Sequence, residues 1–427
     1  MAWLLLASMI VCFAIGVPIA VALGAAVLLT VVTGDVFGLE VLPQQIFNAM
    51  NSFPLMAIPF FILAGFLMQA GGMSERLVEL AQALVGHLSG GLAMVVVVTS
   101  LFFSAISGSG AATTAAVGAI MIPAMVAASY GARYAGAVQA SSGALGVILP
   151  PSIPLIIYAI AANESVGDMF IAGVIPGLLV ALSLLAATYL VARRRGFTGG
   201  TRSDPRQVLH AFTRAILALA MPLLVLGGIY GGVVTPTEAA VTAVVYSLVV
   251  GLFVYRQISL TDLGPILTRA ATTTAVVMLV IGTAGLFGFL LTKLGVPGDI
   301  ADFFAAVDLG PVLFLLVVNV VLLLVGMFIE AAAAILILVP ILLPVATELG
   351  VDPVHFGVIV VVNLAIGLFT PPAGINLFVA AQISRESIAR VSLGVLPFVG
   401  LLFANALLIT YVPALSTWLP GVLSGGD

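Results

Sequence analysis

The sequence predicts an all-α polytopic membrane protein built on an internal inverted repeat, and three observations predict it. Of 427 residues, 62% are apolar and 7% charged, against roughly 45–50% and about 25% in a soluble domain. No Asp, Glu, Lys or Arg falls within 1–34, 80–132, 169–192 or 391–426, and each gap exceeds the ~20 apolar residues that cross a bilayer. Finally, a shift of 221 residues superimposes Pro123 on Pro344, Gly146 on Gly367, Pro150-Pro151 on Pro371-Pro372, Gly173 on Gly394 and Pro176 on Pro397, which marks an internal repeat.

Charges, prolines and glycines divide the chain into apolar segments at 3–32, 53–70, 92–127, 132–162, 169–192, 211–231, 236–255, 266–291, 311–347, 354–383 and 391–415. The first lacks a basic start and is too long for the apolar region of a signal peptide, which predicts one transmembrane helix. Between 73 and 90, Leu77, Leu80, Leu84 and Leu88 recur at helical spacing among Glu75, Arg76, Glu79 and His87. That pattern suits a helix lying in the interface. Segment 92–127 is too long for one span, yet its first arm, 92–106, has 15 residues before the break Ser107-Gly108-Ser109-Gly110. At 1.5 Å per residue that arm reaches about 22 Å, short of a ~30 Å hydrocarbon core. A re-entrant hairpin is predicted there, and a second over 311–347 with its break near Ile329-Glu330.

Segments 132–162 and 354–383 are interrupted at Leu149-Pro150-Pro151-Ser152 and Thr370-Pro371-Pro372-Ala373-Gly374. A Pro-Pro pair in mid-span frees several carbonyls, and irregular backbone at that depth survives only where protein or a water-filled cavity satisfies it. The organisation is a first repeat over 1–192, a linker with an extra helix over 193–235, and a second repeat over 236–427. The first unit makes four crossings plus its hairpin; the extra helix makes five, and an odd number inverts the copy. Inverted repeats with hairpins and broken helices are the signature of secondary transporters, whose site lies where the repeats meet.

Orientation follows from the basic residues, which cytoplasmic loops carry in excess. With 193–210 placed inside, all twelve arginines fall on the cytoplasmic side, and only Lys293 falls outside. Asp35, Glu40, Glu164, Asp168, Asp299, Asp302 and Asp308 fall outside as well. This count predicts a cytoplasmic amino terminus and an external carboxyl terminus.

The breaks carry the candidate chemistry. Ser104, Ser107, Ser109, Thr113 and Thr114 offer hydroxyls, and Gly108 and Gly110 let backbone approach a ligand. Asn363 and Asn376 flank the second Pro-Pro pair, where their amide oxygens either join freed carbonyls around a cation or hold a packing hydrogen bond. Glu330 is a deep carboxylate, a functional group by default unless it complements the dipole of the half-helix it precedes. Thr235-Pro236-Thr237-Glu238 reads as a capping box, a structural feature.

Absences exclude other chemistry. The single Cys12 permits no intrachain disulfide and no cysteine metal cluster. The only lysine, Lys293, follows Thr292, so no P-loop exists. His87, His210 and His355 lie near segment ends, leaving no histidine in mid-span to activate a serine at Gly108-Ser109-Gly110. An enzyme is not expected.

The Ser-Gly-Ser-Gly break, Ile148-Leu149-Pro150-Pro151-Ser152-Ile153-Pro154, Thr235-Pro236-Thr237-Glu238-Ala239-Ala240 and Gly367-Leu368-Phe369-Thr370-Pro371-Pro372-Ala373-Gly374 closely resemble the large membrane subunit of tripartite ATP-independent periplasmic (TRAP) transporters, over essentially the whole chain. The resemblance implies sodium-coupled uptake of organic acids such as dicarboxylates or sialic acid across a bacterial inner membrane. It implies three partners: a small four-helix membrane subunit, expected as a separate chain, a periplasmic substrate-binding protein, and membrane lipid. It also implies an elevator motion, with hairpins and broken helices as the transport domain and the rest as scaffold. The expected cofactors are sodium ions only. On this reading substrate meets Ser107, Ser109, Thr113, Thr114, Pro151, Ser152, Thr370, Pro371 and Asn376. Sodium meets Ser107, Gly108, Ser142, Gly143, Gly326, Asn363, Thr370 and Gly374. The family commonly carries an acid near the second tip; Glu330 either fills that place or caps a helix. A binding-protein-independent sodium/dicarboxylate symporter would share these elements, and an adjacent gene for a binding protein discriminates. A channel would need a continuous hydrated pore, whereas the polar residues here concentrate at two breaks.

Overall fold

The computed structural model describes residues 1–306 and 310–423, and every regular element among them is helical. Asp308 and the terminal Asp427, on which part of the charge count and the carboxyl-terminal assignment rest, lie outside the described residues.

The first apolar run departs from the expected single span. It forms two helices, α1 (Ala2–Ala14) and α2 (Ile19–Gly34), which pack against each other. The cause is local: Gly16 takes a left-handed φ of 80° and Pro18 stands at the N-cap of α2, where a proline has no N–H to continue a helix. The Met1 sulfur lies 2.9 Å from the position a Cβ on Gly34 would take, so the start of α1 adjoins the end of α2. The run turns back instead of crossing once, and the amino terminus shares the side of Asp35. The expected single crossing of this run is therefore corrected, and the cytoplasmic assignment of the terminus loses the crossing on which it rested.

A short α3 (Val41–Met50), not anticipated, leads to a 3-10 turn (Phe53–Met56) and α4 (Ala57–Ala70). The amphipathic segment is α5 (Met73–Val85), which buries Leu77 and Leu80 against its neighbours. Its polar face pins it down: the Arg76 guanidinium sits 3.5 Å from the Tyr255 ring centroid, and Arg214 pairs with Glu79 at 2.9 Å. The latter pair is half-exposed and contributes at most about 1 kcal/mol.

The first hairpin is α6 (Gly91–Ser107) with α7 (Gly110–Ala127), and the second is α16 (Pro311–Gly326) with α17 (Ala331–Glu348). Between them run α8 (Ala132–Gly143), α9 (Leu145–Ile148), α10 (Ile153–Ala162), α11 (Val166–Arg195), α12 (Pro205–Tyr230), α13 (Pro236–Val249, continued by a π-helical turn), α14 (Leu260–Lys293) and α15 (Val296–Ala306). The chain ends in α18 (Pro353–Gly367), α19 (Ile375–Ser384), α20 (Ile388–Tyr411) and α21 (Ala414–Leu423). Among the described residues eight helices are long and apolar enough to cross a membrane, and α8–α9 with α10, bent by 41° at Pro150-Pro151, makes a ninth candidate. The second Pro-Pro pair separates α18 from α19, and both pairs contain a cis peptide bond. The capping box at Thr235 and Glu238 forms as expected, with the Thr235 N–H donating to the carboxylate at 2.8 Å.

Two groups of helices emerge from the packing. The hairpins and broken helices cluster with α11 and α20. On the other side α4 packs on α13, α12 on α13, and α14 on α2, α3 and α4. The groups meet where α14 lies on α17 and α4 on α6, and α5 joins α12 to α6.

Inside the first group the two broken helices interlock: the Tyr158 hydroxyl donates to the Pro353 carbonyl at 2.6 Å, and its ring fills the space beside Gly357. A Cβ on Gly357 would lie 2.3 Å from that ring and 2.6 Å from Met169. Gly357→Val is expected to destabilise the chain by about 1–3 kcal/mol, the range for overpacking a core, read as a lower thermal midpoint in detergent.

Candidate functional site

Each hairpin tip rests against a broken helix. At the first, the Ile153 N–H donates to the Gly108 carbonyl at 3.3 Å, and a Cβ on Gly146 would lie 2.5 Å from the Ser109 carbonyl oxygen. At the second, a Cβ on Gly367 would lie 2.4 Å from the backbone of Gly326. Gly146 and Gly367 are partners under the 221-residue shift, as are Ser109 and Glu330, which take the N-cap positions of α7 and α17, and Ser142 and Asn363.

A cavity of about 330 Å3 opens where these parts meet. Its bundle-side wall includes four helix beginnings, Ser109 to Ala112 of α7, Ile153 and Pro154 of α10, Glu330 and Ala331 of α17, and Ile375 and Asn376 of α19, with the helix ends at Phe103, Ser107, Val147 and Leu368 between them. The first turn of a helix carries about half a positive charge; at α10 the Ile153 N–H is taken by Gly108, Pro154 has none and the Leu155 N–H is capped by Ser152, so that end offers its dipole and no free donor. Four such termini face one space, and no Lys or Arg lines it. The opposite wall is Gly65, Phe66 and Gln69 of α4 with Thr273 and Val277 of α14. The sequence reading missed these residues; Gln69 is a lone amide in an apolar helix, and that was the available signal.

The structure sorts the expected site residues. Ser107, Gly108, Ser109 and Asn376 line the cavity. Thr113 and Thr114 lie on the other face of α7, Thr114 against Gly143 of α8 and Thr113 against Gly146 of α9: their hydroxyls donate to the Ser109 and Gly110 carbonyls, both at 2.9 Å, and Ser107 bonds Thr113 at 2.8 Å. Ser152 caps α10 and donates to the Val147 carbonyl, and Thr370 donates to Ile366 at 2.6 Å; neither lines the cavity, nor do Pro151 and Pro371. Gly143, Gly326 and Gly374 are points of close backbone contact.

Several buried side-chain oxygens carry no hydrogen bond among the described residues. The Ser142 hydroxyl and the amide oxygens of Asn363 and Asn376 are among them, and of these three residues only Asn376 lines the cavity. Asn376 donates to the Ala140 carbonyl at 3.4 Å, joining the second broken helix to α8. Asn363 donates to Asn319 at 2.7 Å, and Thr410 donates to the same Asn319 oxygen at 3.1 Å. Unpartnered buried oxygens are costly in an apolar interior, and neutral oxygen donors suit a hard cation. Among the described residues no cluster of His, Cys, Asp and Glu could hold a metal ion. Glu330, half-buried, stands at the N-cap position of α17 and lines the cavity, but its carboxylate makes no side-chain cap hydrogen bond there.

A second cavity, of about 520 Å3, lies at the helix ends that carry Glu164 and Asp168. Burial, then the charges of Asp352 and Asp168, push the Glu164 carboxyl above its ordinary range. Such negative surroundings disfavour an anion.

Comparison with known proteins accords with these features. The chain is 46% identical over 408 residues to the isethionate TRAP transporter permease protein DctMQ of Oleidesulfovibrio alaskensis, covering 95% of this chain and 64% of that protein. It is 42% identical to the C4-dicarboxylate TRAP transporter large permease protein DctM of Pseudomonas aeruginosa, covering 94% of each. With the sialic acid TRAP transporter large permease protein SiaM of Vibrio cholerae it shares 37% identity, covering 96% of each. In fold it is similar to the YdaH transporter of Alcanivorax borkumensis, with a TM-score of 0.66 over 90% of both chains at 17% identity. Residues 6–415 match the family described as the DctM component of tripartite ATP-independent periplasmic transporters, and an all-helical chain whose half-helices converge on one cavity belongs to that family of large TRAP permease subunits.

Proposed function

We propose that the chain is the large transmembrane subunit of a sodium-coupled importer of organic acids. It works in the bacterial inner membrane with a small four-helix subunit and a periplasmic substrate-binding protein. The observation that carries the acid is the convergence of four helix N-termini on a cavity lined by no cationic side chain. Backbone N–H groups at a helix start bind anions without further charge. The relatives named above are described by isethionate, C4-dicarboxylate and sialic acid, all of them organic acids.

The moving body in this reading comprises the hairpins, the broken helices, α11 and α20. It slides against α4 and α14, whose side chains form the facing wall of the cavity. Both repeats, 1–192 and 236–427, contribute half-helices to that body. With Asp35 external, the turned-back α1–α2 pair makes the amino terminus external too.

Sodium is the coupling ion in this reading because Asn376, which lines the cavity, and Ser142 and Asn363, buried without a partner for the oxygen, are neutral oxygen donors. Such groups hold a metal cation and carry no proton at ordinary pH. Glu330 tests the choice. In vesicles holding the complete complex with its binding protein, Glu330→Gln is expected to keep most uptake driven by a sodium gradient, and a pH gradient alone is expected to drive none. Uptake that follows the pH gradient, ignores sodium and vanishes in Glu330→Gln would make the carboxylate the proton carrier and sodium the wrong ion.

A further inference from the structure

A further concave site lies apart from the cavities described above, at the arginine-bearing end of the bundle. It has a volume of about 290 Å3 and is bounded by Gly131, Arg133 and Tyr134 at the start of α8, Arg195 at the end of α11, and Leu393 and Pro397 on α20. Among the described residues no acidic side chain lines it.

Four features point to one kind of ligand. Arg133 and Arg195 come from different helices, are exposed, and have no carboxylate partner among the described residues. α8 starts here with no side-chain cap, so its first N–H groups are open on that side. Tyr134 is only 6% exposed, yet its hydroxyl has no partner among the described residues, and the Arg195 guanidinium sits 5.0 Å from its ring centroid. Finally, the α20 wall continues into Leu393 and Leu396, 56% and 51% exposed, an apolar strip running from the cavity along the helix.

Two guanidinium groups, a helix N-terminus and a free hydroxyl match a phosphate group: the first supply paired charge-assisted hydrogen bonds, the second a positive dipole end, the third a further donor. The adjoining apolar strip matches an acyl chain, and basic pockets between membrane helices on the cytoplasmic side take anionic headgroups. We propose that this cavity binds the phosphate of an anionic phospholipid, with the acyl chains lying along Leu393 and Leu396. The leaflet concerned is the cytoplasmic one under the arginine count, but the binding itself rests on neither that orientation nor the transport reading.

Native mass spectrometry of the purified complex, titrated with phosphatidylglycerol or with phosphatidylcholine, tests the assignment. The wild-type chain is expected to retain phosphatidylglycerol preferentially. Each arginine is worth about fivefold in affinity and the pair roughly thirtyfold, at the usual contribution of a basic residue near an anionic lipid. Arg133→Ala/Arg195→Ala is therefore expected to weaken phosphatidylglycerol binding about that much and to leave phosphatidylcholine unchanged. Tyr134→Phe, which keeps the ring and its packing, is expected to weaken it a few-fold. Arg385→Ala, at the same end of the bundle and outside the cavity, serves as control. Undiminished phosphatidylglycerol binding in the double variant, or an equal loss in Arg385→Ala, would overturn the site. Displacement of the lipid by inorganic phosphate at comparable concentration would overturn the lipid as the source of the phosphate.

Discussion

Gly374→Val is expected to cut sodium-driven uptake about 100-fold or more while leaving the amount of inserted protein near normal, and Gly108→Val to do the same. Gly374 stands at the N-cap of α19, where a Cβ would lie 2.5 Å from the Leu368 carbonyl oxygen, 2.7 Å from its carbon and 2.9 Å from the Phe369 nitrogen. All three are backbone atoms, so no rotamer relieves the contact, and the break must open to admit the side chain. Gly108 adds backbone strain: its φ of 60° is left-handed, which costs a residue with a Cβ roughly 1–2 kcal/mol. A Cβ there would lie 2.8 Å from the Pro151 carbonyl oxygen, pressing the first tip away from the first break. Both displacements move helix starts that line the cavity, and an error near 1 Å in positioning groups around a reacting or bound centre costs on the order of 100-fold. Proteoliposomes containing the whole complex, with uptake normalised to inserted protein, give the measurement. Full activity in both variants would remove the tips and breaks from the substrate site.

Asn376→Ala is expected to lower uptake by about 10–100-fold, the cost of one to three kcal/mol for stranding buried polar partners. Three things change together. The bond to the Ala140 carbonyl is lost, the cavity loses the one amide on its bundle-side wall, and the buried oxygen that has no partner disappears. If that oxygen ligates sodium, the loss appears as a higher sodium concentration for half-maximal uptake, and raising sodium recovers much of the rate. A drop in maximal rate with an unchanged sodium dependence would assign Asn376 to the substrate or to packing alone.

The parts of this architecture written in local chemistry were legible in the sequence. Pro150-Pro151 and Pro371-Pro372 break their helices wherever the surrounding chain places them, and Ser107-Gly108-Ser109-Gly110 ends one helix and caps the next by its own backbone needs. The first run misled because its length and polarity satisfied a single span, while the signals against it, Gly16 and Pro18, are ones that many membrane helices tolerate. Thr113 and Thr114 were read as site residues on chemistry alone. Which face of α7 looks into the cavity depends on where α8 packs, and Ala111, Ala112 and Ala115 took that face. Gln69 and Thr273 were missed for the same reason: they come from helices more than 200 residues apart and acquire meaning only when α4 and α14 close over the tips.

The convergence of four helix starts has a consequence for how such a permease diversifies. A grip made of peptide dipoles is written into the main chain and survives almost any exchange of side chains that preserves the turns. On the proposed function, side-chain substitution that spares the turns and Asn376 would have little purchase on the capacity to hold an acid, and the identity of the cargo would be left to Phe66, Gln69, Thr273 and Val277 on the facing wall. Attraction and discrimination would then be housed on separate bodies. A lineage can retune the second without endangering the first, and swapping the α4 and α14 wall between permeases is the economical way to redirect what is carried.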